Sequence, residues 1–404
     1  MYTINKSKNK KINIPLYFLY VYIALIYILP PLNISVSWSS FSMWVMLAVT
    51  LISIILNPNK LKILPYYWWY MSLILLALFS AFYAIDSAHT LSSIYIMLVP
   101  LGLSLAFCTI IETQKEIKNI IICLSISGFV LFIIILLTNN LQPDERLGQS
   151  LFGNTNVFAA IEMIALLSSI WLAISKNAKT KLLYILISFS QIYLLFLSGG
   201  RKYILVPLVF LYILFILKKD KKNKSKIIKY TIIFGVILFL GYVVIMNVPK
   251  LYDSIGYRME GFFGVFIGQG NDVTNSDQGR VLMIESGFRY FLQRPIFGWG
   301  NNSFMLLFGA DTGYYLYSHN NFIELLVNLG LVGFLLYYSF YAYLINKLWK
   351  IKNDENSLKE FFLAFIISIL FFEIGAITYC YQNIISILIA LASLFIFLKG
   401  EQTL

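Results

Sequence analysis

Charged residues are scarce in this sequence. Lys, Arg, Asp and Glu make up 12% of its 404 residues, whereas hydrophobic residues make up 59%. A soluble domain carries roughly a quarter charged residues, and a water-soluble fold could not bury this much apolar surface. Many apolar residues fall in charge-free runs of roughly 20 residues, the length that a hydrocarbon core of about 30 Å requires. The composition therefore excludes a soluble globular protein and predicts a polytopic membrane protein.

Cysteine and histidine are also scarce. The three cysteines, Cys108, Cys123 and Cys380, lie in or beside apolar runs and lack the spacing of a metal or redox motif. The two histidines, His89 and His319, have no second ligand at metal-binding spacing. The sequence therefore predicts no metal site and no cofactor. The net charge is +12, but the basic residues occupy short links between apolar runs, so nucleic acid is not an expected partner.

The apolar runs predict an all-α integral membrane protein with about twelve transmembrane helices. The predicted spans are residues 14–32, 36–56, 63–84, 91–111, 117–138, 156–174, 182–198, 202–217, 227–246, 321–345, 360–378 and 382–398. The seventh and eighth spans are separated by little more than Gly199-Gly200-Arg201, and one broken hairpin is the alternative there. The predicted organisation is nine helices in residues 1–246, a large, partly helical outer loop in 247–320, and three helices in 321–404.

Lysine positions predict the orientation. With a cytoplasmic N-terminus, 23 of the 31 basic residues fall on the cytoplasmic side, as the positive-inside rule requires, and the C-terminus is cytoplasmic too. All 23 are lysines, whereas all six arginines fall outside: Arg146, Arg201, Arg258, Arg280, Arg289 and Arg294. Arginine offers a planar fork of donors that suits phosphate and carboxylate. These arginines either pair with local acids in an ordered loop, or several of them face an anionic ligand at the outer leaflet.

Three acidic residues in the apolar runs are also placed towards the predicted outer face. Glu162, Glu324 and Glu373 lie near the outer ends of their predicted helices. Ionisable residues at membrane depth are expensive and usually face a cavity or a partner. Together with the arginines they favour one polar cavity that opens outward. Structural ion pairs between these glutamates and Arg201 are the alternative interpretation.

Residues 247–320 form the one long extramembrane segment, and they are too rich in apolar residues for a disordered linker. Residues 279–294 read as an amphipathic helix that Ser276 or Asp277 caps and Pro295 ends. The glycines that follow Pro295 predict a tight turn over 295–300.

The earlier part of this loop divides into two pieces. Residues 251–267, which include Arg258, predict a second helix lying on the membrane surface. The polar, glycine-rich residues 268–279 predict a connector that could act as a gate. The loop then ends at His319, where it re-enters the membrane. A histidine at that place can accept a proton from a hydroxyl near neutral pH, whereas His89 reads as a solvated interface residue.

Four elements together resemble the O-antigen ligase and polymerase superfamily. They are the Ser198-Gly-Gly-Arg201 element, the arginine-bearing helix at 279–294, the Pro295-x-x-Gly-x-Gly300 turn, and Ser318-His319-Asn320 followed by Gly330-x-x-Gly333. Each motif is loose by itself, but their order and the late outer loop match that family. The motifs cover about a third of the chain. The resemblance implies a GT-C-like fold and a metal-independent glycosyltransferase that uses lipid-linked donors at the outer face of the bacterial inner membrane.

The resemblance also implies roles for individual residues. The donor is a glycan on undecaprenyl diphosphate, and its diphosphate is expected between Arg201 and Arg280, with Arg258 as a further ligand. His319 is the expected base, and Asn320 orients His319 or the acceptor. The glutamates at 162, 324 and 373 are candidates to pair with the arginines or to bind sugar hydroxyls.

The expected reaction is the joining of lipid-linked repeat units by a polymerase of capsule, exopolysaccharide or O-antigen. A ligase that moves finished glycan to another acceptor is the first alternative, and no motif separates the two. A lipid-linked glycan flippase is the second alternative, although transporters place polar groups at the membrane midplane. The expected partners are the lipid-linked glycan donor, a glycan acceptor and membrane lipids, with a chain-length regulator and a flippase as further candidates.

Overall fold

The structure is a computed structural model that describes residues 13–32, 37–56, 58–138, 146–175, 178–217, 224–249, 252, 256, 275–352, 357–380 and 383–401. Within these residues the regular secondary structure is entirely helical. The helices are α1 Ile14–Ile28, α2 Ser37–Leu56, α3 Pro65–Ser80, α4 Ser87–Ile110, α5 Gln114–Leu137, α6 Gln149–Phe152, α7 Thr155–Ser175, α8 Ala178–Ser198, α9 Arg201–Leu217, α10 Lys224–Asn247, α11 Asn275–Gln293, α12 Phe304–Thr312, α13 Asn321–Lys350, α14 Leu358–Phe372 and α15 Asn383–Glu401. A helix therefore lies at each predicted apolar run.

Six stretches of described helix are long and apolar enough to cross a membrane. They are Ser87–Ile110, Gln114–Leu137, Thr155–Ser175, Thr180–Ser198, Asn321–Lys350 and Asn383–Glu401. Shorter apolar helices cover Ile14–Ile28, Met43–Leu56 and Phe234–Asn247. This set of helices defines an integral membrane protein, as the composition predicts.

Two predicted boundaries are wrong. The eleventh apolar run was expected to be helical to residue 378, but α14 ends at Phe372, and 373–378 forms a turn that other helices bind. The described part of the loop helix already includes Asn275, so the helix starts before the predicted residue 279, and Ser276 and Asp277 lie within it. Its end at Gln293, just before Pro295, agrees with the prediction.

The main core joins the long helices through large aromatic side chains. Trp69 of α3 stacks on Phe340 of α13 with 4.5 Å between ring centroids, and its indole nitrogen donates to the Leu336 carbonyl at 2.9 Å. Tyr70 donates to the Tyr379 carbonyl at 3.0 Å. Polar tips of buried aromatic residues need such partners, and these bonds fix α3 against α13.

A second, smaller core attaches the loop helices to α13. Its buried members come from α11, α12 and the first part of α13: Met283, Tyr290, Phe304, Phe308, Ile323 and Val327. The loop helix α11 buries Met283 and Tyr290, whereas Phe288 and Leu292 are exposed. This packing places the N-terminal half of α11, with Arg280, beside the start of α13.

Helix α13 is interrupted at Gly330, and the turn over residues 295–300 fills the interruption. Gly330 has φ +65° and ψ −165°, so the helical hydrogen bonds around it are lost. Four backbone bonds replace them: Trp299 N to Val327 O at 2.8 Å, Gly300 N to Asn328 O at 2.9 Å, Leu331 N to Pro295 O at 2.8 Å, and Val332 N to Ile296 O at 3.1 Å. The groups freed by the break are therefore satisfied inside the protein, as a membrane environment demands.

The close approach of these two backbones explains two glycines. A Cβ on Gly298 would lie 2.5 Å from the Val327 carbonyl oxygen, and one on Gly330 would collide with the Ile296 carbonyl. Both residues also have positive φ, +72° and +65°, which side chains disfavour. The turn motif and the Gly-x-x-Gly motif are therefore two halves of one backbone junction.

Candidate active site

The candidate site begins where α8 gives way to α9. Gly199 adopts φ +66°, which allows the chain to reverse after Ser198, and a Cβ on Gly200 would lie 2.5 Å from the Tyr203 ring. Helix α9 then starts at Arg201. The structure thus has a helix at each of the two predicted spans, joined at Gly199 and Gly200, and it places Arg201 and Lys202 in the first turn of α9.

Lys202 reaches across to the turn that follows α14. Its ammonium donates to the Gly375 carbonyl oxygen at 2.5 Å and lies over the rings of Tyr203 and Phe372, 5.1 Å and 5.3 Å from their centroids. No carboxylate among the described residues lies within ion-pair distance of it. Lys202 is therefore a half-buried cation whose protein partners are a neutral carbonyl and two aromatic faces.

Other positive charges lie near this ammonium. Arg146 and Arg280 are close enough to Lys202 for their charges to act on it. The Arg146 Nε donates to the Ser198 carbonyl at 2.9 Å, which fixes that side chain to the end of α8. Three cations from three separate parts of the chain thus converge at the end of α9 that carries Arg201.

His319 lies beside these cations. It has φ +55°, an uncommon conformation for a histidine, and its ring centroid is 4.2 Å from that of Tyr317. Burial, together with the smaller effect of the charges of Lys202 and Arg280, lowers its pKa to about 4. The imidazole is therefore neutral at neutral pH and has a nitrogen lone pair available to accept a proton.

Short polar links hold the His319 loop in place. The Ser318 amide donates to Glu324 Oε2 at 2.8 Å, and the Ser318 hydroxyl donates to the Asn320 carbonyl at 2.8 Å. Asn320 caps α13, since its side-chain oxygen accepts from the amides of Phe322 and Ile323 at 3.0 and 3.1 Å. These bonds explain how His319 can be held with positive φ between two anchored residues.

Glu324 belongs to a buried network. Its Oε1 accepts from the Asn328 amide at 3.1 Å, and Asn328 also donates to the Tyr379 hydroxyl at 3.1 Å. The side-chain oxygen Oδ1 of Asn328 accepts from the backbone amide of Phe304 at 2.8 Å. Glu324 thus connects the His319 loop to α12 and to residue 379, and both its oxygens are engaged by protein groups.

Glu373 is the acceptor at the centre of a cluster of hydroxyls. Its carboxylate is 0% exposed. The hydroxyls that donate to it belong to Tyr338 at 2.9 Å, Tyr337 and Tyr341 at 3.1 Å each, and Thr378. The arrangement stabilises the turn after α14, to which Lys202 also binds.

Glu162 lies in a different part of the bundle. It is 0% exposed on α7, and neither carboxylate oxygen has a hydrogen-bond partner among the described residues. A Cβ on Gly128 of α5 would meet both Glu162 Oε2 at 3.1 Å and Gln191 Nε2 of α8 at 2.7 Å. Its surroundings are thus α5 and α8, and the cluster around His319 is built from other residues.

Two of the remaining predicted positive residues have protein partners of their own. Arg289 forms an ion pair with Asp311 at 2.7 Å, and Arg294 stacks on Trp299 with 4.0 Å to the ring centroid. His89 shares a 2.9 Å hydrogen bond with the Asn302 amide. Arg258, the helix expected at 251–267 and residues 268–274 of the expected connector lie outside the described residues, except for positions 252 and 256.

Lys202 and Arg146 are the site residues that the sequence reasoning missed. Arg146 was one of six outer arginines with no motif around it, and Lys202 adjoins the Ser-x-x-Arg element without being part of it. One signal was present, because Lys202 and Lys250 are the two lysines that the orientation rule leaves outside. A lysine that departs from the positive-inside bias is a candidate ligand for an anion.

Residues 183–338 match the family model described as O-antigen ligase. The matched region runs from α8 into α13 and contains Arg201, Lys202, Arg280 and His319. It confirms the resemblance to the O-antigen ligase and polymerase superfamily, and with the apolar helices it indicates a glycosyl-transferring membrane enzyme of that type. A comparison with curated proteins gave no match.

Proposed function

We propose that this protein is a polysaccharide polymerase that joins repeat units carried on a polyprenyl diphosphate. The observation that carries the proposal is that Arg146 and Arg280 lie near Lys202, and that the charges of Lys202 and Arg280 act on the neutral imidazole of His319. Lys202 is half-buried, and a cation at such a position calls for an anion, which a diphosphate supplies. A base beside that anion is what a glycosyl transfer requires.

The proposed reaction is a single displacement at the anomeric carbon of the donor glycan. The bond between that carbon and the diphosphate oxygen breaks, and the electron pair leaves with the polyprenyl diphosphate. The hydroxyl oxygen of the acceptor glycan forms the new glycosidic bond, and its proton passes to His319. Attack opposite the leaving group inverts the anomeric configuration.

The arginines are proposed to stabilise the leaving group. Charge develops on the diphosphate as the bond breaks, and fixed donors aimed at that charge lower the barrier. Arg201, in the first turn of α9, and Arg280 on α11 are the proposed clamp, with Arg258 as an additional ligand. Asn320 is proposed to set the direction of His319 through its cap on α13.

For the glutamates, the contacts favour a supporting role over a direct one. Both oxygens of Glu324 and of Glu373 accept hydrogen bonds from neighbouring protein groups. Binding of sugar hydroxyls by Glu324, Glu373 or Glu162 is therefore a weaker proposal than the binding of the diphosphate by the arginines. The hydroxyl cluster around Glu373 supports the turn that Lys202 binds.

The proposed setting is the bacterial inner membrane with about twelve spans, both termini in the cytoplasm and the site on the outer face. The lysine distribution supports this orientation. A chain-length regulator and a flippase are the proposed pathway partners. The proposed organisation keeps residues 1–246 and 321–404 as helical bundle and 247–320 as the loop that contributes Arg280 and His319.

A ligase is the second candidate, because the matching family model is described as O-antigen ligase. A ligase and a polymerase share the donor chemistry and differ in the acceptor. In the proposed reaction the cations bind the donor, and His319 needs only a hydroxyl group on the acceptor, so the site suits both activities.

A deletion strain tests the proposal through the length distribution of its surface glycan. Loss of the ladder with single units still at the surface supports a polymerase. Long glycan that remains attached to its lipid would indicate a ligase. Repeat units that remain inside the cell would indicate a flippase. Complementation with His319→Ala should fail, whereas complementation with His89→Ala should restore the ladder, since His89 contacts Asn302 away from the cations. A normal ladder with His319→Ala would remove the base from the mechanism.

A further inference from the structure

Three successive carbonyls after α14 hold the elements of the site together. The Glu373 carbonyl accepts from the Asn321 amide at 2.9 Å, and the Ile374 carbonyl accepts from the Asn320 side chain at 3.1 Å. The Gly375 carbonyl accepts from the Lys202 ammonium. One short stretch of backbone therefore fixes Lys202 relative to the loop that carries His319.

This stretch is rigid for a physical reason. The Glu373 carboxylate binds hydroxyls from α13 and from Thr378, and the Asn321 side-chain oxygen accepts from the amides of Thr378 and Tyr379 at 3.0 and 3.3 Å. Buried networks in which the groups are satisfied hold one geometry. The ammonium of Lys202 is thus positioned by groups that do not themselves need to touch a substrate.

The ammonium has capacity left for a ligand. It carries three N–H donors, and among the described residues the Gly375 oxygen is its one hydrogen-bond acceptor. Arg146 and Arg280 add positive charge nearby, and like charges at a half-buried position are unfavourable without a compensating anion. Among the described residues, no carboxylate lies within ion-pair distance of Lys202 to supply the negative charge that its position favours.

We infer that Lys202 is a direct ligand of the diphosphate leaving group. The Gly375 carbonyl holds the ammonium in place through one N–H, and the other two donate to phosphate oxygens. This inference rests on the proposed function and adds to it a cation that lies beside His319. It also assigns the turn over residues 373–378 as the positioning element of the anion site.

Inorganic pyrophosphate is the probe for the test, with purified full-length protein in detergent. A ligand that binds the folded state raises the midpoint of thermal unfolding, and the dependence on concentration gives its affinity. Lys202→Met should weaken pyrophosphate binding at least about tenfold, because a charge-assisted hydrogen bond contributes about 1.5–3 kcal/mol. Lys202→Arg should restore part of the loss, and the KM for the lipid-linked donor should rise in the same order.

Lys181→Met is the matched control, since it removes an exposed lysine from the opposite end of α8. Gly375→Ala is a second variant that keeps the charge. Its methyl group would lie 3.3 Å from Lys202 Cδ, so the lysine stem must shift, and we expect pyrophosphate binding to weaken several-fold. Gly241→Ala, which meets no atom within 4 Å, is its control.

Unchanged pyrophosphate affinity in Lys202→Met and Gly375→Ala would overturn the inference while leaving glycan transfer by the wild type in place. Equal competition by phosphatidylglycerol vesicles would assign Lys202 to anionic lipids in general and would also overturn it. Wild-type protein that neither binds pyrophosphate nor transfers glycan would instead refute the proposed function itself.

Discussion

The amide of Trp299 donates to the carbonyl of Val327 at 2.8 Å, which ties the loop turn to a helix at the place where that helix is interrupted. The interruption occurs at Gly330, three residues further along α13. Because α11 precedes the turn and His319 precedes α13, this junction sets the distance between Arg280 and His319. The glycine motif of the turn and the Gly-x-x-Gly motif of α13 therefore have one structural role, which is to form this junction.

Substitution of Gly330 by alanine should disrupt this junction. The methyl group would collide with the Ile296 carbonyl, and the combination of φ +65° and ψ −165°, which is essentially confined to glycine, costs another residue about 1–3 kcal/mol before any collision. We expect a lower midpoint of thermal unfolding and loss of glycan transfer. Gly279→Ala, which meets no atom within 4 Å, should keep the unfolding midpoint. Equal stability of both variants would show that the junction is dispensable.

His319 should titrate far below an ordinary histidine. Its pKa is lowered to about 4 by burial and by the charges of Lys202 and Arg280. Since the chain has only two histidines, His89→Ala leaves a single imidazole signal for NMR. We expect Arg280→Met to raise the pKa of His319, because it removes one of the charges that oppose protonation. The same titration in Arg289→Met should be unchanged.

The same pKa shift has a consequence for stability. The unfolded chain binds the His319 proton with an ordinary pKa near 6.5, so it holds more protons than the folded chain between about pH 6.5 and 4. Above about pH 6.5 the titration of His319 therefore does not affect the free energy of unfolding. As the pH falls from about 6.5 towards 4, the free energy of unfolding decreases. His319→Asn should flatten this part of the stability profile measured by thermal unfolding, and an identical slope would contradict the shift.

Arg280 and Arg289 provide a matched pair of loop arginines on α11. Arg280→Lys should lose most glycan transfer while the protein still inserts, because an ammonium cannot reproduce a bidentate grip on a diphosphate. Arg201→Lys is expected to behave in the same way. Arg289→Lys should retain activity, since its partner is Asp311 and exposed ion pairs contribute about 0–1 kcal/mol. Full activity in both Arg201→Lys and Arg280→Lys would count against the clamp.

Replacement of Glu373 should mainly lower the stability of the folded protein. Its replacement by alanine leaves the buried hydroxyls of Tyr337, Tyr338 and Tyr341 without their acceptor, and each buried unsatisfied group costs about 1–3 kcal/mol. We expect a large fall in the unfolding midpoint and in the yield of folded protein. Glu285→Ala, an exposed acid on α11, is the control. An unfolding midpoint in Glu373→Ala equal to that of the wild type would contradict the supporting role.

The composition and the apolar runs determined that this is a helical membrane protein and placed its helices within a few residues. They could do so because burial in lipid requires uninterrupted apolar helices, a local property of the chain. The motifs likewise predicted the end of α11, the tight turn and the break before Arg201. The end of α14 was missed, since the apolar run continues beyond Phe372 and only tertiary bonds to Glu373 and its neighbours favour a turn there.

The convergence of the site was decided by the tertiary structure alone. Lys202 and His319 are 117 positions apart in the sequence. They lie near each other because Lys202 and the two residues after His319, Asn320 and Asn321, all bind the turn after α14, which no local sequence pattern predicts. The same packing separated Arg280, which lies near Lys202, from Arg289, which pairs with Asp311. The sequence determines which side chains are present, but long-range packing decides which of them lie close together.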